Sequence, residues 1–230
     1  MTGETRGSGG SDLLPDGRTA RAEIARNRRT ALILDSLERL LAETPLHAVS
    51  VDEIAAAAGI TRARFYHYYK SKYEALAALL HQVAEEVLEV YRLPDSWFAG
   101  QFEDRPLAAM AITFERMGGV WTRHGAAVRE ACDMWNAAAE VRQAWETIIA
   151  GLIDATTAAI ERERRRGIAP DGPPARQLAQ GLVWQGERLL YVGLIHAKEA
   201  LTDEQLAEVG TLMWMRAIYL SDDPDPATSQ

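Results

Sequence analysis

The sequence lacks most of what builds a catalytic or extracellular protein. One of its 230 residues is cysteine, Cys132. A single thiol excludes an intrachain disulfide and any multi-cysteine metal site. The five histidines, His47, His67, His81, His124 and His196, are scattered, and none has a His or Cys three or four residues away. Metal binding is therefore not expected. The longest stretches free of charged side chains are ten residues, at 75–84 and 177–186. A membrane span needs roughly 20. The first thirty residues hold no apolar core of a signal peptide. No run alternates apolar and polar residues, no glycine-rich phosphate loop follows a strand, and no serine sits on an elbow motif. The expectation is an all-α cytoplasmic protein with no cofactor and no catalytic centre.

What is present is an ordinary globular composition, 47% hydrophobic and 25% charged, with a formal net charge of −8. That total argues against nucleic acid as a partner, but the charge is divided. Residues 1–72 hold 11 basic and 9 acidic side chains, whereas residues 73–230 hold 14 and 24. An asymmetry of this kind points to divided labour along the chain. Residues 1–22 read as a disordered tail, since the Gly- and Ser-rich opening buries too little surface to offset ordering entropy. A basic stretch, Arg18, Arg21, Arg26, Arg28 and Arg29, straddles its end. Residues 23–71 form the first expected domain and 72–221 the second, with 222–230 as a frayed tail.

From about Glu23 the pattern is helical. Leu32, Ile33, Leu37, Leu40 and Leu41 recur at helical spacing and form one apolar stripe. Ser50-Val51-Asp52-Glu53 has the form of a capping box opening a short Ala-rich helix that ends at Gly59. Thr61 is a good N-cap for a second short helix, 62–68. Ser71-Lys72-Tyr73-Glu74 reads as another capping box, opening a long helix to about Tyr91. Further helices are expected near 105–122, 124–136, 139–166, 175–199 and 203–220.

A short helix, a Gly59-Ile60-Thr61 turn and a second short helix make a helix-turn-helix, with Ile54, Ile60 and Phe65 as its small core. The second helix carries donors suited to base edges at its start, Thr61, Arg62 and Arg64. Ser50, Tyr66, His67, Lys70 and Lys72 are candidates for phosphate or further DNA contact. On pattern alone, a short Ala-rich helix pair with a glycine turn is also common in helical proteins that bind no DNA.

The segment LLAETPLHAVSVDEIAAAAGITRARFYHYYKSKYEAL resembles the N-terminal domain of the TetR family of transcriptional regulators. Residues 46–80 carry the match, through VSVDEIAAAAGI and FYHYYKSK. The stretch AIERERRRGIAP is similar to a region of the subgroup typified by the mycobacterial ethionamide-activation repressor. Tyr69 stands where the family usually has Phe, Tyr73 where an acidic residue is common, and Arg64 where a small residue or Pro is common. The resemblance implies a three-helix DNA-binding head followed by a larger helical ligand-binding and dimerisation domain. It also implies a repressor that binds a near-palindromic operator as a homodimer and is released by a small molecule. The two last helices would form the dimer interface, with Gly181, Gly193 and Gly210 allowing close approach.

All six tryptophans lie between 97 and 214, outside the head. Met110, Phe114, Met117 and Trp121 share one helix face. Trp145, Ile149, Leu152 and Thr156 share another, and Trp184, Glu187 and Tyr191 a third. With Trp214 from the last helix they could line an apolar tunnel for an elongated hydrophobic effector. For any single one of these residues, plain core is the competing reading. Glu187 has two readings as well, a polar anchor for ligand or an internal ion pair with Arg188. The rival function is a helical enzyme or carrier of a lipophilic small molecule, which explains a tunnel but not the head.

Overall fold

The computed structural model describes residues 17–102 and 105–222, with side chains described from Arg26 onward. All regular structure among these residues is helical: α1 (Gly17–Glu43), α2 (Val51–Ala57), α3 (Arg62–Tyr68), α4 (Lys72–Arg92), a one-turn 3-10 helix at Trp97–Ala99, α5 (Pro106–Asp133), α6 (Ala139–Arg165), α7 (Ala175–Leu194) and α8 (Asp203–Tyr219). No helix among them is long and apolar enough to cross a membrane.

The tail expected over residues 1–22 is helical from Gly17 onward, because Arg and Ala continue a helix at little cost once it is nucleated. Residues 1–16 and 223–230 lie outside the described part. Asp222, assigned to the second tail, is held to the Arg216 guanidinium. The inward face of α1 is Ile33, Leu34, Leu37 and Leu41, all buried. Leu32, expected in that stripe, is 48% exposed, and Leu34 takes its place.

Two expected helix boundaries move. The helices read at 105–122 and 124–136 are one, α5, running unbroken past His124 and Gly125. Both positions are held by tertiary contacts that outweigh weak local propensity. The His124 ring bonds Glu38 at 2.6 Å and Glu86 at 3.1 Å. A Cβ on Gly125 would lie 2.7 Å from Leu194 Cδ2, so the Leu194 side chain of α7 fills the space that the glycine leaves open. Helix α7 stops at Leu194 instead of 199. Its end is a Schellman turn in which Ala197 N–H reaches Val192 O and His196 N–H reaches Gly193 O. The left-handed residue is His196, with φ +50°, so the glycine that normally marks such an ending is missing.

The head packs α1, α2, α3 and the start of α4 around Leu37, Leu46, Ile54, Phe65 and Leu76, all fully buried. Helix α4 leaves this core and packs on α5 and α6, with α7 and α8 completing the second domain. The opposite end of that domain is closed by a buried polar cluster. Trp97 Nε1 donates to Tyr219 Oη at 2.7 Å, and Tyr219 donates to Glu163 Oε2 at 3.1 Å. Arg162 fixes the Trp97 and Phe98 carbonyls, each at 2.7 Å. The arginine-rich end of α6 is thus structural, as a basic last turn would suggest.

Helix α5 is also the chief polar link to the head. Glu130 is 2% exposed and accepts the Leu46 N–H at 2.9 Å. Arg129 donates to Leu41 O at 3.1 Å. Replacing Glu130 by Ala leaves the buried Leu46 N–H without an acceptor. The expected loss is about 2 kcal/mol of unfolding free energy, measured by denaturant titration.

Candidate nucleic-acid interface and ligand cavity

The helix-turn-helix is built by local rules. Ser50 Oγ accepts Glu53 N–H at 3.2 Å and Glu53 returns to Ser50 N–H at 2.7 Å, completing the reciprocal cap of α2. Helix α2 ends in a Schellman turn, with Ile60 N–H on Ala55 O at 2.9 Å and Gly59 N–H on Ala56 O at 3.1 Å. Gly59 sits at φ +65°, the left-handed region that only glycine occupies without strain. Thr61 Oγ1 caps α3 through Arg64 N–H at 3.2 Å. Ser71 caps α4 through Glu74 N–H. The second expected capping box is incomplete, because the Glu74 carboxylate turns to Lys70 N–H rather than to Ser71.

These caps orient α3 with Phe65 inward and Thr61, Arg62, Arg64, Tyr66 and His67 outward. Arg62 pairs with Asp52 of α2 and reaches Tyr66 Oη at 3.5 Å, and its guanidinium lies 5.6 Å from the Tyr66 ring. Arg64 lies over the Tyr68 ring at 5.7 Å. Burial favours the neutral Tyr68 phenol, but hydrogen bonds from Arg29 and Arg64 outweigh it and lower its pKa. Arg29 of α1 is therefore drawn beside α3. Arg26 and Arg28 are exposed on the same helix, and the Arg18 and Arg21 side chains fall outside the described ones. Lys70 is exposed, as is Ser50 beyond its cap.

Lys72 differs from its expected role. Its ammonium donates to Leu46 O and Val49 O, each at 2.7 Å, and to His47 O at 3.1 Å. All three protons are committed to the loop between α1 and α2. It ties that loop to the start of α4, so it positions the head rather than offering a free cation to phosphate.

The second domain holds a cavity of about 360 Å³ bounded by α4, α5, α6, α7 and α8. Of the residues expected to line it, Phe114, Met117, Trp121, Trp145, Ile149, Leu152, Glu187 and Trp214 do so. Phe114 meets Trp214 edge-on at 5.4 Å. A Cβ on Gly210 would lie 2.6 Å from the Phe114 ring, so this glycine serves packing of α8 on α5 within the protomer, not approach between subunits.

Four expected lining residues lie elsewhere. Met110 is fully buried core. Thr156 is fully buried, and its hydroxyl donates to Leu152 O at 2.8 Å. Trp184 is 41% exposed and meets Trp135 edge-on at 6.2 Å. Tyr191 donates to Asp133 at 2.8 Å under the Arg188 guanidinium. Helix spacing placed these residues on the right helices, but a helix packed on two sides has more than one buried face. Tyr91, Val183, Leu190, Leu194 and Leu206 line the cavity and escaped the sequence reading. The aliphatic ones carry no signal beyond their apolarity, while Tyr91 ends the buried stripe of α4.

Glu187 is the buried acid of this wall. Its Oε1 accepts the Cys132 thiol at 3.4 Å, while Oε2 is buried with no hydrogen-bond partner among the described residues. Arg188 Nε lies 3.8 Å from Oε2, so the ion pair expected as one reading of Glu187 is present, but it is too long for a hydrogen bond and the Arg188 side chain is 64% exposed. Burial, and then the Glu187 charge, push the Cys132 thiol well above its usual pKa. Cys132 should accordingly resist thiol reagents in the folded protein and react readily once unfolded. Rapid labelling under native conditions would contradict that.

A capped helix-turn-helix joined to an all-helical domain with an apolar cavity is the build of a DNA-binding regulator that senses a small molecule. The model of the bacterial regulatory proteins of the tetR family matches residues 33–79, and the model of the C-terminal domain of the transcriptional regulator EthR matches residues 108–220. The chain is 31% identical over 212 residues to the HTH-type transcriptional regulator EthR of Mycobacterium tuberculosis, covering 87% of this chain and 95% of the relative. The EthR of Mycolicibacterium smegmatis is 30% identical over 212 residues, with 89% and 92% covered. A crystal structure of a TetR-family regulator from Syntrophomonas wolfei matches with a TM-score of 0.69 at 18% identity, covering 85% of this chain and 97% of that one. The chain belongs to the TetR family and is a transcriptional regulator of the EthR type.

Proposed function

We propose that the protein is a cytoplasmic repressor that binds a near-palindromic operator as a homodimer and leaves it when an apolar effector fills the cavity. The observation that carries this reading is the double duty of α5. One side lines the cavity through Phe114, Met117, Trp121 and Gly125. The other holds the head through His124 on Glu38, Arg129 on Leu41 and Glu130 on Leu46. Because interiors are close-packed, a ligand that displaces α5 displaces the head with it. Helix α4 is a second connection, since it runs from the head at Lys72 to Tyr91 at the cavity wall. A ligand that fits a state with altered head spacing draws the population away from the operator-binding form.

In this reading the dimer forms through α7 and α8. Trp184 and Ile195 at one helix and its end, and Met213 on the other, are exposed by 40–42%. Gln185 Nε2 meets Met213 Sδ at 3.1 Å, which brings the two helices into one surface. A face of that kind is costly to leave in water. Light scattering should give twice the chain mass. A stable monomer would exclude the two-headed mechanism.

Arg64 is the DNA contact to test first, because it is exposed at the start of α3 and has no carboxylate partner among its described contacts. Arg64→Ala should weaken binding to the protein's own upstream DNA by about tenfold or more, read by mobility shift. The melting temperature should change little. If wild-type protein fails to retard that DNA, a carrier of a lipophilic molecule becomes the better account.

A further inference from the structure

We propose that the ligand of this cavity carries a cationic head with a hydrogen to donate, a primary or secondary ammonium on an apolar body, and that the head docks on Glu187. The inference rests on the effector reading above and names the chemistry of that same site.

Besides the buried Tyr91 phenol, four charged or titratable groups belong to the cavity wall: Arg129, Glu187, His196 and Asp203. Three are already placed. Arg129 donates to Leu41 O and lies 3.7 Å from Glu130, so its guanidinium is turned to the head. Asp203 is exposed at the start of α8, where it accepts the Thr122 hydroxyl at 3.2 Å. His196 is exposed at the left-handed end of α7. Glu187 is different, with a side chain only 8% exposed. One carboxylate oxygen takes the Cys132 thiol, a weak donor, and the other has no donor among the described residues.

A buried acceptor without a donor costs free energy that a suitable ligand recovers on binding. The ligand must therefore bring N–H or O–H. Arg188 Nε at 3.8 Å partly offsets the charge but leaves the Oε2 lone pairs unfilled. An ammonium supplies both a donor and the opposite charge. A fatty carboxylate would bring a second negative charge into the same low-dielectric wall. The rest of the lining suits the tail, because Trp121, Trp145, Ile149, Leu152 and Trp214 are apolar or aromatic. Aromatic faces are also tolerant of cations.

The test compares decylamine, decan-1-ol and decanoate on the full chain at neutral pH, by titration of the tryptophan fluorescence. Wild-type protein should bind the amine about tenfold more tightly than the carboxylate. Decan-1-ol, a neutral donor, should fall between the two. Glu187→Gln should reduce the preference for amine over carboxylate to within about threefold, and a circular-dichroism spectrum and cooperative melt like those of wild type show that the variant is folded. A further comparison needs no variant. Decyltrimethylammonium has the charge but no N–H, so it should bind wild-type protein several-fold more weakly than decylamine. Equal or tighter binding of decanoate, a preference that survives Glu187→Gln, or equal binding of the two cations would overturn the proposal. If no probe binds while DNA is still retarded, the effector cavity itself is refuted. If probes bind without preference, only the role of Glu187 fails.

Discussion

The structure depends most on the way α5 is pinned to the head by its buried Glu130. A carboxylate that is 2% exposed and accepts a single backbone N–H from Leu46 is expensive to bury unless its geometry is held. Arg129, 3.7 Å from it and bonded to Leu41, supplies the compensating charge. The loop that Glu130 grips is the one Lys72 grips from the other side through three carbonyls. The turn between α1 and α2 is thereby fixed by an anion from the second domain and a cation from the start of α4. The reading helix inherits its position from that turn.

Seen from the cavity, the same arrangement explains how a ligand could be felt at a distance. The helix that carries Glu130 also carries Met117, Trp121 and Gly125 into the cavity wall. Gly125 allows Leu194 of α7 to approach as closely as it does, and Gly210 does the same for α8 under Phe114. These contacts leave α5 little room to adapt locally. A rigid helix between a cavity and a polar clasp transmits displacement instead of absorbing it. The polar cluster of Trp97, Tyr219, Glu163 and Arg162 closes the far end of the domain.

The charge division acquires a physical meaning on this frame. The head exposes Arg26, Arg28, Arg62, Arg64 and Lys70, while the excess of acid lies in residues 73–230. A phosphate backbone attracts the first and repels the second. A total of −8 is thus compatible with a nucleic-acid partner, because the total conceals which end of the molecule faces it.

Local rules made the head readable in advance. Ser50, Gly59 and Thr61 each act on backbone groups within a few residues, so the two short helices and their turn follow from adjacent side chains. The apolar spacing of α4 was legible for the same reason. The continuity of α5, the early stop of α7 and the split of the aromatic residues between cavity and core were not. His124 stays helical because Glu38 and Glu86 come to it from other helices. Helix α7 ends on a histidine in a conformation that normally marks glycine. Met110 and Phe114 are one turn apart on one helix, yet packing buries the first in the core and leaves the second in the cavity wall. Spacing along a helix determines which residues share a face. Which neighbour that face meets, and whether Lys72 reaches for DNA or for three carbonyls of its own chain, is decided by contacts between residues far apart in sequence.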